Sequence, residues 1–524
     1  MAKKKTKRVG TRKAQEQQWA QKRQAFLDSG AVGSLLLLLG FVLLASLVLV
    51  FGHSETATQD PGHWEFSSPG HYFVTCAIMI VMSGAMGLYV YANEPSVVKK
   101  HGQGFLFLFI LIFMVAFVRL CLLMGWSLYL TIMPTMILGI MMAIAYNQRF
   151  ALGISSFLVL ISILAMADFK DISFGQGFGV LFSAGLAAAL VILMLGRIRK
   201  FTKLLEACSL AAVVMFLLIF MVGIWQSRGH EPDFKQILIN CLWGSGSALS
   251  VGFLMQGLLP LVEKLFRTAT DMTLMAYGES TQPLLKRLAV EAPGTFNHSW
   301  QIGMLAESAA EAIGANGLLC RVGSYYHDVG KMNKPRYFIE NQAESFNQHR
   351  ELSPTMSRMI IIGHVKDGLE LLDEYNIPKV LWQFTETHHG TTLVAYFFHA
   401  ATKKAQEADQ NERVEETEFR YPGPKPYTKE SAIVMLADVV EGATRAMSEP
   451  TPSRIEQLVH QLVNMRLQDG QLDDSDITMK ELHIIEKSLV KSLCAMYHGR
   501  IAYPKSDKEK EKEKRENDNG AKNP

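Results

Sequence analysis

Residues 105–146 read FLFLFILIFMVAFVRLCLLMGWSLYLTIMPTMILGIMMAIAY and contain a single charged side chain, Arg119. An α-helix needs about 20 apolar residues to cross the hydrocarbon core of a bilayer, so this stretch is long enough for two spans. The depletion of charge extends outward in both directions, because only 20 of the 229 residues from Ser34 to Val262 are Asp, Glu, Lys or Arg. The sequence therefore predicts a polytopic membrane region and excludes a single soluble domain.

The composition of the whole chain excludes other classes of protein. The 524 residues are 49% hydrophobic and 19% charged, with a formal net charge of +3, whereas soluble domains average about 25% charged residues. A net charge this small does not indicate a nucleic acid polymer as partner. The six cysteines form no Cys-x-x-Cys motif, so they predict neither a disulfide framework nor a thiolate metal site.

Eight apolar segments are predicted to form a transmembrane bundle over residues 34–262. The eighth is interrupted by Asn240 and by the run Gly244-Ser245-Gly246-Ser247, but small residues also allow transmembrane helices to pack closely. The predicted spans are about 34–52, 72–92, 105–125, 127–146, 150–167, 174–195, 207–225 and 236–262.

The distribution of Lys and Arg predicts that both ends of the bundle are cytoplasmic. The basic N-terminal arm, residues 1–33, and alternate loops carry most of the cations, which is the positive-inside pattern. Arg119 falls near the outer end of the third span, where its side chain is expected to extend to the headgroups. The inner positions are Lys99, Lys100, Arg149, Arg197, Arg199, Lys200 and Lys203, and the outer ones are Lys170, Arg228 and Lys235.

After the bundle, the sequence predicts a connector over residues 263–293 and an all-α domain over residues 294–504. Apolar residues recur there with a helical period, and no convincing alternating strand pattern occurs. Residues 401–419 are expected to be a solvated insertion, and the charged tail 505–524 is expected to be disordered. The predicted helices are Trp300–Ile313, Leu318–His327, Met356–Tyr375, Lys379–His388, Ser431–Met447, Arg454–Leu467 and Met479–Met496.

Five histidines and two aspartates stand out in this domain. Any one of them has an ordinary interpretation: a lone His is usually a core or surface residue, and Asp438 is equally consistent with an ion pair to Arg445. Together, five imidazoles and two carboxylates on predicted helices or helix ends favour a site for Fe, Mn, Co or Zn. Gly330 is expected to let the backbone turn. The set is His298, His327, Asp328, His364, His388, His389 and Asp438.

These residues and their neighbours resemble the membrane-bound HD-domain phosphohydrolases of the PgpH type, which degrade cyclic di-AMP. The resemblance covers roughly residues 265–504 and extends more loosely over the spans. The motifs that carry it are Ala292-Pro293-Gly294-Thr295-Phe296-Asn297-His298-Ser299, Tyr326-His327-Asp328-Val329-Gly330-Lys331, Tyr337-Phe338-Ile339-Glu340-Asn341-Gln342, His388-His389-Gly390-Thr391, Phe419-Arg420-Tyr421-Pro422-Gly423-Pro424-Lys425-Pro426 and Leu436-Ala437-Asp438.

The resemblance implies a site with two metal ions, expected to be Fe or Mn. Asp328 would bridge the ions and take part in catalysis together with Lys331, and two such ions can clamp a phosphodiester. Substrate contacts are expected from Lys331, Thr391, Arg420 and Tyr421. One ion would be completed by His298, His327 and Asp438, and the other by His364, His388 and His389.

The implied function is a membrane-anchored phosphodiesterase of second messenger signalling that converts cyclic di-AMP to the linear dinucleotide pApA. Its expected partners are a cyclic dinucleotide and the lipid bilayer, with no nucleic acid polymer, and a homo-oligomer is left open. The expected location is a bacterial-type inner (cytoplasmic) membrane, with both termini cytoplasmic. One feature departs from the family, because only about 18 residues follow the first span where a large extracellular sensory domain is usual.

Three alternatives remain open from the sequence. An HD phosphohydrolase acting on cyclic di-GMP is disfavoured, because Gly390-Thr391-Thr392 stands where those enzymes carry Gly-Tyr-Pro. A non-catalytic nucleotide-binding membrane receptor would be favoured by the loss of a ligand, yet all seven positions are filled. A transporter is disfavoured because the spans show no convincing charged site at the midplane.

Overall fold

The computed structural model describes residues 31–51, 69–167, 174–196, 198, 200, 202–227, 231–342, 348–407 and 414–498. The chain divides into two compact units between Met272 and Thr273, inside the predicted connector. The basic arm up to residue 30, most of the loop after the first span and the charged tail lie outside the described residues. The predicted boundaries of the five segments stay a prediction.

The first unit is a helical bundle. Within the described ranges, eight helices are long and apolar enough to cross a membrane, which confirms the predicted number of spans. The eighth is a continuous helix of 33 residues despite its glycines. The helices are α1 (Ala31–Val50), α2 (Pro69–Asn93), the short α3 (Pro95–Lys99), α4 (His101–Leu123), α5 (Ile132–Ala145, preceded by a 3₁₀ turn at Leu128–Thr131), α6 (Gln148–Ala167), α7 (Phe174–Met194), α8 (Thr202–Gln226) and α9 (Phe234–Phe266).

Small residues explain why α9 packs closely on α8. A methyl group at Gly252 would come within 2.9 Å of Cys208 Cβ, and one at Gly244 would come within 2.1 Å of the Ile219 side chain. The backbones of the two helices therefore approach at these glycines, as is common between transmembrane helices. Large apolar side chains such as Phe73 and Leu88 are exposed on the outside of the bundle, which suits a lipid environment.

Arg119 is buried inside the bundle, so the prediction that it extends to the headgroups is wrong. Its side chain is only 2% exposed. Nε donates to the carbonyl oxygen of Phe51 at 3.1 Å, and Nη1 donates to that of Ala165 at 2.9 Å. Because these carbonyls lie at the ends of α1 and α6, the guanidinium finds acceptors within the protein and stays there.

The second unit is all-α, and no strand occurs among its described residues. The seven predicted amphipathic helices are present, and three further helices (α10, α11 and α16) were not predicted. The helices are α10 (Asp271–Tyr277, at the division), α11 (Pro283–Glu291), α12 (Pro293–Ala312), α13 (Gly317–Tyr326), α14 (Pro354–Glu374), α15 (Lys379–Thr387), α16 (Ala395–Glu407), α17 (Lys429–Arg445), α18 (Pro452–Gln468) and α19 (Met479–His498). Short 3₁₀ helices cover Val329–Asn333, Pro335–Tyr337, Ile339–Asn341, Gln348–Glu351 and Glu416–Phe419.

The predicted solvated insertion, residues 401–419, is only partly a loop. Its first seven residues complete α16, and Phe419 at its end is buried. Residues 408–413 lie outside the described part of the chain. The polar composition concealed α16, because that helix has no fully buried residue and so shows no long apolar stripe.

Candidate metal centre

Five helices position the predicted ligands. His298 lies on the second turn of α12, His364 on α14 and Asp438 on α17, while His327-Asp328 and His388-His389 directly follow α13 and α15. Side-chain caps define where three of these helices begin, since an N-cap oxygen satisfies a free backbone N–H. The caps are Asn316 for α13, Ser353 for α14 and Thr428, in a capping box with Ser431, for α17.

Two glycines bring the segments after α13 and α15 into place. A methyl group at Gly330 would come within 1.9 Å of the His364 carbonyl oxygen, so this glycine lets the Asp328 segment lie directly on α14. Its φ is outside the left-handed region, so it is not a left-handed helix cap, and it lies in the 3₁₀ helix Val329–Asn333 that follows the end of α13. Gly390, with φ of +54°, does adopt the left-handed conformation that ends the histidine pair.

The ligands form two groups that share Asp328. We call His298, His327, Asp328 and Asp438 the first group, and Asp328, His364, His388 and His389 the second group. Potential ligand atoms of His298, His327 and Asp328 lie within 4.8 Å of one another, and so do those of the whole second group. Asp438 joins the first group because its Oδ1 lies 3.1 Å from His298 Nε2.

The two oxygens of Asp328 face different groups. Oδ2 lies 3.0 Å from His327 Nε2 and 3.8 Å from His298 Nε2. Oδ1 lies 3.2 Å from His364 Nε2 and 3.4 Å from His388 Nε2. One buried carboxylate is thus placed to serve two sites, one through each oxygen.

Asp438 has no ion pair with Arg445. Instead, Arg445 Nη2 lies 3.8 Å from Glu441 Oε2. The alternative interpretation of Asp438 as the partner of Arg445 is therefore wrong, and its carboxylate is directed at His298 and, at 3.9 Å, at His327.

Hydrogen bonds at Nδ1 fix the tautomers of three histidines. Backbone carbonyl oxygens only accept hydrogen bonds, so each of these rings carries a proton on Nδ1 and, in its neutral form, keeps a lone pair on Nε2. The Nε2 atoms all point at Asp328, and this arrangement is typical of histidines that bind metals. His327 donates to Ser324 O at 2.7 Å, His364 to Ile361 O at 2.5 Å, and His388 to Phe384 O at 3.0 Å.

His298 has a carboxylate partner that the sequence did not reveal. Its Nδ1 lies 2.5 Å from Glu441 Oε2, and Glu441 is fully buried, at 0% exposed. A signal was present, because Glu441 stands three residues after Asp438 on the same apolar helix and faces the same desolvation cost.

Several potential ligand atoms of the two groups lack a hydrogen-bond partner among the described residues, as expected if they bind metal ions. His364 Nε2 and His388 Nε2 lie 3.2 Å apart, yet each has its proton on Nδ1, so neither can donate to the other. Within the described ranges, His327 Nε2 and Asp328 Oδ1 are buried without a hydrogen-bond partner. Buried acceptors left this way are costly, and cations between them would satisfy all four atoms. The nitrogen and carboxylate donors suit divalent transition metals.

Electrostatics keep several of these groups in the forms that bind metals. Burial lowers the pKa of His388 and of His389, so both imidazoles are neutral. Burial alone would raise the pKa of Asp328, but its interactions with His327 and then with the Lys331 ammonium hold that pKa well below its usual range. Metal ligands must be deprotonated, and these three already are.

Lys331 is a fixed cation beside the cluster. Its Nζ lies 2.6 Å from Asp328 Oδ2 and 2.9 Å from Glu340 Oε1. Burial would lower the pKa of Lys331, but these carboxylates raise it above its usual value. Glu340 in turn accepts from Thr295 Oγ1 at 3.1 Å. The role of Lys331 toward a phosphate stays a prediction.

The remaining predicted substrate contacts fall into two places. Tyr421 stacks on His389, with ring centroids 4.2 Å apart, and therefore borders the cluster. Arg420 forms a two-pronged ion pair with Asp469, at 3.1 and 2.9 Å, and donates to Thr391 O at 2.8 Å. Thr391 N donates to Gln471 Oε1 at 2.9 Å. Arg420 and Thr391 thus belong to a network that holds the segment after His389, and their contact with a substrate stays a prediction.

Each of the two units matches a known protein family. Residues 71–270 match the family described as "7TM receptor with intracellular HD hydrolase", and residues 295–443 match the HD domain. The first range contains seven of the eight candidate spans, except for Gly70 at the start of the second span. The second range contains all seven predicted ligands. Both units of the chain are therefore similar to membrane proteins that join a multi-span bundle to an HD hydrolase domain, as the sequence predicted.

Two curated relatives are both named cyclic-di-AMP phosphodiesterase PgpH. The one from Bacillus subtilis is 41% identical over 318 residues, which are 61% of this chain and 44% of the relative. The one from Listeria monocytogenes is 35% identical over 376 residues, which are 72% of this chain and 50% of the relative. A crystal structure of the L. monocytogenes PgpH HD domain in complex with cyclic-di-AMP is 45% identical, covers 42% of this chain and all of that domain, and has a TM-score of 0.39. The chain spans about half the length of the curated relatives.

Proposed function

We propose that the chain is a membrane-anchored, metal-dependent phosphodiesterase that hydrolyses cyclic di-AMP to linear pApA. The observation that carries the proposal is the position of Asp328, whose two oxygens face two separate sets of histidines. The names of the two curated relatives support the choice of substrate.

We further propose that the centre holds two ions, either Fe or Mn. The first group would hold one ion and the second group the other, with Asp328 common to both. Imidazole nitrogens mixed with carboxylates favour these metals over Mg²⁺, which prefers oxygen ligands. When bound, such a pair polarises a phosphodiester and lowers the pKa of a nearby water molecule.

The chain's own residues would hold this centre rigid. Hydrogen bonds at Nδ1 orient the rings of His298, His327, His364 and His388. Lys331 already balances the charge of Asp328 and Glu340, so we propose that it acts chiefly by orienting Asp328. Tyr421 would border the bound nucleotide, whereas Arg420 and Thr391 would shape the rim through Asp469 and Gln471.

Localisation and domain limits complete the proposal. The excess of Lys and Arg in alternate loops supports a bacterial-type inner membrane location with both termini cytoplasmic. The proposed segments are the arm 1–33, the bundle 34–262, the connector 263–293, the HD domain 294–504 and the tail 505–524. Reporter fusions at the loops test the orientation, and a periplasmic C-terminus would contradict it.

The decisive assay uses the full chain in detergent, loaded with manganese, with cyclic di-AMP and cyclic di-GMP as parallel substrates. We expect selective conversion of cyclic di-AMP to pApA, and no conversion by the Asp328→Ala variant at unchanged helicity. Turnover of neither substrate by the metal-loaded protein would overturn the proposal. One ion or none per chain would favour a non-catalytic nucleotide receptor.

A further inference from the structure

Arg466, in the last turn of α18, is a cation that lacks an acidic partner. Within the described ranges, its guanidinium forms neither a hydrogen bond nor an ion pair, and Nε is buried without a partner. The neighbouring cations differ, because Lys331 pairs with Asp328 and Arg420 pairs with Asp469. A buried N–H donor without an acceptor is costly, so this position is suited to a ligand that supplies an acceptor.

The position of Arg466 relates it to the metal centre. Its guanidinium interacts electrostatically with the carboxylates of Asp438 and Asp469. Its own carbonyl oxygen accepts from Gln471 N at 3.0 Å. Gln471 in turn holds Thr391, two residues beyond His389. Arg466 therefore lies on the side of the cluster formed by the segment after His389.

The charge of Arg466 is only partly compensated. Burial lowers the pKa of Arg466, and the negative charges of Asp438 and Asp469 offset this only in part. Even so, a guanidinium stays protonated in proteins. Neither carboxylate is within ion-pair distance of it among the described contacts, so the cation remains available to an anion.

We propose that Arg466 binds the phosphate group of the substrate beside the metal centre. The planar guanidinium presents parallel N–H donors that match two oxygens of one phosphate, which an ammonium cannot do. The inference deepens the proposed function and rests on it for the nature of the substrate, a cyclic dinucleotide. Lys331 is less suited to bind the phosphate, since its ammonium is held between two carboxylates.

The test measures the binding of inorganic phosphate to the manganese-loaded full chain by calorimetry. Arg466→Gln keeps a polar side chain but removes the charge, and Arg466→Lys keeps the charge but removes the fork. Arg454→Gln is the matched control, because Arg454 lies on the same helix with a side chain that is 54% exposed. Metal content and helicity are measured for every variant.

We expect Arg466→Gln to weaken phosphate binding at least ~10-fold and to lower kcat/KM for cyclic di-AMP by ~10²-fold, the scale of losing a charged contact to the reacting group. Arg466→Lys should be intermediate, and Arg454→Gln should match the wild type. Manganese content should stay at the wild-type level in all three variants.

Two results would overturn the inference. In one, Arg466→Gln binds phosphate as tightly as the wild type. In the other, Arg466→Gln and Arg466→Lys both lose manganese, which would make Arg466 a partner of Asp438 and not a phosphate ligand. Failure of the proposed function is distinguishable: the wild type would then cleave no cyclic dinucleotide, while phosphate binding would still depend on Arg466.

Discussion

The first and second groups of the metal centre share Asp328 but differ in their charge and in their supports. The first group contains a second carboxylate, Asp438, and its His298 forms a hydrogen bond with the buried Glu441. The second group has three imidazoles and no carboxylate other than Asp328, and the supports of His364 and His388 are backbone carbonyls. The additional carboxylate attracts a cation to the first group, and the Lys331 ammonium beside Asp328 Oδ2 offsets part of that charge. We expect the first group to fill first.

Asp328→Asn should have the largest effect, because one carboxylate serves both groups. The substitution keeps the shape but removes the negative charge that faces His327 and His364. We expect kcat to fall by ~10³-fold or more, since electrostatic contacts at a reacting centre are worth this much, and both ions to bind more weakly. Elemental analysis and steady-state kinetics measure this. Loss of only one ion would show that Asp328 belongs to a single group.

Substitutions within one group should separate the two sites. His388→Ala removes a buried ligand of the second group only, and Asp438→Ala removes one of the first group only. Each variant should keep about one ion per chain where the wild type keeps about two, as expected for a two-ion centre, and each should lose turnover. His460→Ala is the control, since that histidine is exposed on α18 and pairs with Glu486. Loss of both ions from each variant would mean that the groups do not bind independently.

Glu441→Gln should weaken the first group without emptying it. Second partners of metal-bound histidines contribute about 10–100-fold to metal affinity, and Glu441 orients His298 from a fully buried position. In a metal titration, we expect only the tighter of two phases to shift. Glu449→Gln, at an exposed site, is the control. A shift of the weaker phase instead would reverse the assignment of strong and weak sites.

Arg420→Ala should have the smallest effect. Its ion pair with Asp469 is partly exposed on both sides, and exposed pairs contribute about 0–1 kcal/mol. The melting temperature should fall by a few degrees, as expected for about 1 kcal/mol in a domain of this size, and kcat/KM should change less than ~10-fold. A larger loss of kcat/KM at unchanged stability would make Arg420 a substrate contact, as the sequence originally suggested.

The sequence predicted the spans and the HD fold well, because both depend on local patterns. Apolar runs define the eight membrane helices, and the adjacent pairs His327-Asp328 and His388-His389 mark two ends of one centre. Prediction failed where a residue's role depends on what lies next to it in space. Arg119 donates to carbonyl oxygens at the ends of two other helices. Gly330 lacks a side chain where α14 approaches the backbone closely.

Two residues near the centre illustrate the same limit. Glu441 can be predicted from its charge on an apolar helix, since it faces the same desolvation cost as Asp438. Arg466 could not, because a basic residue in the last turn of an amphipathic helix is ordinary. Only the absence of a partner for its guanidinium in the described part of the chain sets it apart.

Electron paramagnetic resonance of the full chain loaded with manganese tests directly whether Asp328 is shared by two ions. If Asp328 links two ions about 3.5–4 Å apart, the spectrum should show a spin-coupled pair in the wild type, and the coupling should disappear in Asp328→Asn. A spectrum of isolated Mn²⁺ at two ions per chain would contradict the shared carboxylate and the two-metal mechanism built on it.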